Sequence, residues 1–107
     1  MPLSYKVLGQ ANPAATTVTT LYTSAGTVVI STLVICNQAS SSMTYRIAVK
    51  PTADTLSTLH YIAYNAALAA NETIALTLGI TMSAAENIIV YSSNASTSFN
   101  LFGTEIS

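Results

Sequence analysis

Apolar and polar residues alternate one for one over short stretches of this chain, and small clusters of Ser, Asn, Gly and Ala separate the stretches. The clearest case is Met43–Lys50, where Met43, Tyr45, Ile47 and Val49 alternate with Thr44, Arg46, Ala48 and Lys50. Such a period of two puts one set on a core face of a strand and the other in solvent. Thr27–Cys36 is apolar on both faces, which suits a strand with neighbours on either side. Thr16–Tyr22 reads as a further strand, with Val18 and Tyr22 on one face. The turns between these runs, Ser24-Ala25-Gly26 and Ala39–Ser42, are short, so the three runs are expected to form a meander.

Beyond Pro51, Thr52–Ser57 reads as a loop or a single helical turn, and Leu59–Tyr64 resumes strand character. Asn65–Ala70 is ambiguous, because alanine favours helix. Thr73–Leu78 directs Ile74, Leu76 and Leu78 inward, and Gly79 marks a bulge or bend. Met82–Glu86 leads to a strand at Asn87–Ser92, and the turn Ser93-Asn94-Ala95 leads to a last strand at Ser96–Phe102. Thr and the β-branched aliphatics that dominate these runs fit a pleated, half-buried surface. About eight strands in about a hundred residues predict an all-β fold, an antiparallel β-sandwich. The Cys–Trp–Cys pattern of immunoglobulin domains is missing, so the expected form is a jelly roll. One domain over residues 1–107 is expected, with residues 1–10 as an N-terminal arm that could add a strand to a neighbouring molecule.

Composition sharpens this picture. Charged residues make up 7% of the 107-residue chain, against about 25% in typical globular proteins. Ser, Thr, Asn and Ala must therefore cover the surface. Lys6, Arg46 and Lys50 are the fixed cations and the formal charge is −1, too little positive charge to neutralise a run of phosphates, so nucleic acid is not an expected partner. Weak self-repulsion, together with few lysines and prolines to guard sheet edges, favours association, and a homo-oligomer, with a trimer preferred, is expected. The apolar runs fall far short of the ~20 residues that cross a bilayer, and the N-terminus lacks the pattern of a secretory signal. No membrane partner is expected, and the expected place of synthesis is a cytoplasm.

Candidate chemistry is sparse. Cys36 is the single cysteine and sits in an apolar run, so a buried small hydrophobe is expected rather than redox chemistry. His60 has no second His, Cys or acid at ligand spacing, and Asp54, Glu72, Glu86 and Glu105 are each isolated. A cupin-like metalloenzyme would share the sandwich but needs several histidines. Neither a Gly-rich phosphate loop nor a Gly-x-Ser-x-Gly elbow occurs. No catalytic, cofactor-binding or metal-binding residue is expected, and the chain does not read as an enzyme. Asn71-Glu72-Thr73 and Asn94-Ala95-Ser96 match the glycosylation acceptor pattern, which chance supplies readily in a chain so rich in Thr and Ser.

Tyrosine is used generously, at Tyr5, Tyr22, Tyr45, Tyr61, Tyr64 and Tyr91, and its half-wet ring suits protein interfaces. Tyr22 and Tyr45 alternate with core residues and are expected to be structural. Tyr61 and Tyr64 should point to opposite faces of one regular strand, so at least one lies outside the core. Tyr5, Arg46, Tyr61 and Tyr64 are the expected interface residues.

The opening Tyr5-Lys6-Val7-Leu8-Gly9-Gln10, the segment Asn71–Ile80 and the ending Phe99–Ile106 resemble small virion proteins of tailed bacteriophages, particularly phages of cyanobacteria. The resemblance covers nearly the whole chain and rests on structural patterns. It implies a non-enzymatic virion protein, in first place a capsid cement or decoration protein bound to the major capsid protein. The alternative it implies is a tail-associated module of the baseplate, fibre or tip, structural or carbohydrate-binding, for which Tyr61, Tyr64 and Asn65 are the hint.

Overall fold

Two four-stranded antiparallel sheets form from the alternating runs. The computed structural model describes residues 3–51 and 55–106, with side chains from Lys6 onward. Of the loop or helical turn expected at Thr52–Ser57, residues 52–54 lie outside the described residues. The strands are β1 (Leu3–Ala11), β2 (Thr19–Thr23), β3 (Thr27–Asn37), β4 (Met43–Lys50), β5 (Tyr61–Leu68), β6 (Thr73–Met82), β7 (Asn87–Ser92) and β8 (Thr97–Ile106), with one 3-10 turn at Thr58–His60. The first sheet has the order β1-β8-β3-β6 and the second β2-β7-β4-β5.

The pairing is nested: β1 with β8, β2 with β7, β3 with β6 and β4 with β5. The chain is thus one long hairpin with its tip between β4 and β5, wrapped so that β8 also pairs with β3 and β7 with β4. This is the jelly-roll arrangement, and it places β3 centrally, as its two apolar faces require. The expected meander does not form. β2 and β4 belong to the second sheet and β3 to the first, so both short turns cross between layers. Packed sheets lie about 10 Å apart, a gap that three or four extended residues span, so a short connection does not distinguish a hairpin from a sheet-switching corner.

Of the segment expected as an arm, residues 3–10 belong to β1 (Leu3–Ala11). β1 is an edge strand of its own domain, paired with β8 from Leu3 opposite Ile106 to Ala11 opposite Phe99 with a one-residue shift at Leu8, and Leu8 packs on the core. Gly9 is required there, since a β-carbon would lie 2.5 Å from the carbonyl oxygen of Leu21 on β2.

Inward residues of both sheets make the core, with Phe99, Leu101, Ile30, Leu33, Ile47 and Ile88 fully buried. Each such side chain contributes about 1.5–3 kcal/mol by leaving water. Along β3 the inward set shifts phase, from Val28 and Ile30 to Leu33 and Ile35, because Ser31 is an extra residue relative to β8. That bulge explains why the run looks apolar on both faces. It also turns Cys36 outward, where it is half-buried rather than the core residue expected. β2 starts later than expected: Val18 precedes it and is exposed, and Leu21 points into the core. Asn65–Leu68, ambiguous in sequence, continues β5, because Ala66 and Leu68 pair with Tyr45 and Met43.

Candidate interaction site

The outward side of β4 carries Thr44, Arg46, Ala48 and Lys50. Ala48 and Ile89 lie opposite each other there and are nonetheless buried, and the 3-10 turn before β5 packs against β4. One step along, Arg46 lies opposite Tyr91 of β7 on one side and faces an irregular stretch of β5 on the other.

That stretch contains two bulges. Tyr45 pairs with Ala66, Ile47 with Ala63 and Ala48 with Tyr61, so β5 holds an extra residue opposite Arg46 and another at Ile62. Asn65, at φ 53°, takes the left-handed conformation that Asn tolerates better than most residues. The bulge at Ile62 reverses the expected orientation: Tyr61 and Tyr64 share the outward face. Their rings meet edge to face, with centroids 5.0 Å apart and planes at 83°.

Arg46 reaches between two of these rings. Its guanidinium carbon lies 4.2 Å from the centroid of Tyr64 and 4.2 Å from that of Tyr91. Its Nε donates a 2.7 Å hydrogen bond to Oδ1 of Asn65. A cation over a tyrosine face is attracted by the ring quadrupole, and two rings and an amide together hold this side chain in one position. Tyr64 is 57% exposed, and Leu59 and Ile62, earlier in the same segment of chain, are also exposed. The structure therefore brings Arg46, Tyr61 and Tyr64 into one patch. It places Asn65, named with Tyr61 and Tyr64 for the carbohydrate-binding alternative, in the same patch and adds Tyr91. Tyr91 had no local signal, since only the long-range pairing of β4 with β7 places it beside Arg46. Tyr5 belongs to β1 in the other sheet, and its side chain lies outside the described residues.

Other polar residues are structural. Buried His60 accepts a 3.0 Å hydrogen bond at Nδ1 from the backbone N–H of Ser57, which closes the turn covering β4. Glu72 and Glu86 accept from the backbone N–H groups of Ala69 and Ser83 within their turns. Glu105 pairs with Lys6 at 2.7 Å and accepts from the Tyr22 hydroxyl at 2.7 Å. The hydrogen bond from Lys6, then that from Tyr22, hold the Glu105 carboxyl below its ordinary range. Burial, reinforced by Glu105, raises the Tyr22 phenol above its own. Asn94, in one acceptor-like triplet, accepts from the N–H of Ser96 and the hydroxyl of Thr97. Among the described residues, no three of His, Cys, Asp and Glu lie close enough to hold a metal ion, and no helix is long and apolar enough to cross a membrane.

The outer face of the first sheet is chemically different. Across β1, β8, β3 and β6 its rows read Val7, Phe102, Thr32, Thr77 and then Gln10, Asn100, Val34, Ala75, without a formal charge.

No family model and no curated protein matches this chain. Among solved structures, a chain from the crystal structure of the T13 IBDV viral particle, described with it as a missing link in icosahedral virus evolution, shares the fold. The TM-score is 0.56 at 7% identity, over 95% of this chain and 30% of that one. This chain thus spans less than a third of the length of the viral chain it matches.

Proposed function

We propose that this protein is a non-enzymatic structural component of a virion, and specifically a capsid cement or decoration protein that bridges neighbouring capsid subunits. The observation that carries the proposal is the nested two-sheet order, which joins all eight described strands in one jelly roll, a fold similar to that of a chain of a viral particle over 95% of this chain. Two features support it. The surface is nearly free of charge, and the outward side of the second sheet gathers Tyr and Arg, residue types that dominate the energetics of protein interfaces.

Many copies on one shell make individually weak contacts effective, because neighbouring attachment points raise the local concentration. Self-association into a trimer would bring three Arg46 patches together and strengthen each attachment in the same way. Purified protein should bind assembled shells and appear in cryo-electron maps at hundreds of copies per particle. A density confined to the tail at a dozen copies or fewer would replace the cement role with the tail-associated one. Light scattering at tens of micromolar tests the trimer, and a monomer there would remove it.

A further inference from the structure

We propose that Arg46 is the anchor of the docking surface and that its ligand is a carboxylate side chain, Asp or Glu, on a partner protein of different sequence. The inference rests on the reading of this chain as a protein that docks on other proteins. A guanidinium has five N–H donors in a plane. Asn65 takes the Nε–H, and among the described residues no acceptor takes the four on Nη1 and Nη2. Tyr64 and Tyr91 stack on the guanidinium, so ligands approach through its edge. A carboxylate fits that edge with two parallel hydrogen bonds, a fork that a lysine ammonium does not present. Because rings and amide already fix the side chain, little rotamer freedom is lost on binding.

The charge distribution selects the partner. Lys6 is neutralised by Glu105, and among the described residues Arg46 has no carboxylate at ion-pair distance, its hydrogen-bond partner being the neutral Asn65. The described carboxylates of a second copy suit it less well: Glu105 is held by Lys6 and Tyr22, and Glu72 and Glu86 each have one oxygen engaged by a backbone N–H in their turns, which leaves neither free to offer both oxygens to the fork. A phosphate-rich ligand does not suit it either, since the formal charge is −1 and such ligands need several cations. One carboxylate against one guanidinium, flanked by Tyr64 and Tyr91 with Tyr61 against Tyr64, matches the anatomy of an interface hot spot.

The test reads the Arg46 Nε–Hε resonance of the labelled full chain during titration with sodium acetate, with sodium chloride at matched ionic strength as reference. A saturable acetate shift of that resonance, absent with chloride, is the expected result, with matching shifts of the Tyr64 and Tyr91 backbone amides that are lost in Arg46→Lys while its spectrum without acetate stays that of the folded chain. Equal responses to acetate and chloride would overturn the proposal. So would inorganic phosphate saturating at tenfold lower concentration, which would mark a phosphate site. In a second arm, Arg46→Lys should weaken binding to assembled shells by at least about tenfold, as expected when a buried charge pair loses its fork. Unchanged binding by that variant would refute the anchor. Should the wild-type chain bind no shell, the cement role fails, while the acetate titration still decides the clamp.

Discussion

Asn37 is fully buried at the end of β3, and its side-chain amide serves several strands' ends at once. Its Nδ2 donates to the carbonyls of Ser41 (2.9 Å) and Ala69 (3.0 Å), and its Oδ1 accepts from the N–H of Ala39 (3.1 Å) and from Asn94 (3.3 Å). An isosteric Asn37→Leu change strands these groups, and a buried polar group without a partner costs about 1–3 kcal/mol. A loss of about 3 kcal/mol in urea unfolding is expected, against near-neutrality if the amide were decorative. Two glycines offer a matched contrast. A β-carbon at Gly103 would collide with the carbonyl oxygen of Val29 and lie 2.9 Å from Leu8 Cδ1, whereas at Gly79, with φ +62°, it would meet nothing within 4 Å. Gly103→Ala should therefore cost more than Gly79→Ala: overpacking of a filled site costs about 1–3 kcal/mol plus backbone displacement, and left-handed strain alone about 1–2 kcal/mol. Equal losses in thermal unfolding would contradict the packing at β1, β3 and β8.

At the scale of elements, β1 and β5 are edge strands with different tasks. β1 covers β8 and buries part of Leu8, so removing residues 1–10 uncovers one edge of the first sheet. Burial of a leucine alone is worth about 1.5–3 kcal/mol. The truncated chain should lose at least about 2 kcal/mol in urea unfolding. Unchanged stability with impaired assembly would instead restore the arm expected from the sequence. β5 gives up regular pairing for two bulges, and these aim Tyr61 and Tyr64 at one face. An exposed cation–π contact is worth about 0.5–1 kcal/mol. A double-mutant cycle of Arg46→Ala with Tyr64→Ala should accordingly return a coupling in that range, and a coupling indistinguishable from zero would mean that the stack does not hold in solution.

Across the whole molecule, the Lys6, Glu105 and Tyr22 group ties both outer pairs of the hairpin, since Lys6 and Glu105 belong to β1 and β8 and Tyr22 to β2 in the other sheet. Its two pKa shifts act at opposite ends of the pH scale. Glu105 titrates lower in the folded chain, so its contribution is present above the unfolded value of about 4.3 and is lost as pH falls through the folded one. Tyr22 titrates higher when folded. Above about pH 10 the phenol ionises in the unfolded chain before the folded one, and stability declines as pH rises. Chemical unfolding across pH should show both limbs, with Glu105→Gln flattening the acid one and Tyr22→Phe the alkaline one. Limbs of undiminished slope in these variants would assign the pH dependence elsewhere.

Period-two alternation was enough to place β4 and the first part of β6, and β-branched apolar runs between turns made the fold all-β, because burial of one face of a strand is written locally in the order of its residues. The central position of β3 was legible too, although part of its two-sided apolar pattern came from the Ser31 bulge. Sheet membership was not legible, since a short turn serves hairpin and corner alike, and so β2, β3 and β4 looked like a meander. Arg46, Tyr61 and Tyr64 could be singled out by residue type. That Tyr61 and Tyr64 share a face, and that Tyr91 closes the clamp, depended on bulges and on pairing between residues far apart in the chain. Such features arise only when strands meet, because register and the choice of neighbour are set by packing of the whole hairpin and not by any single segment of it.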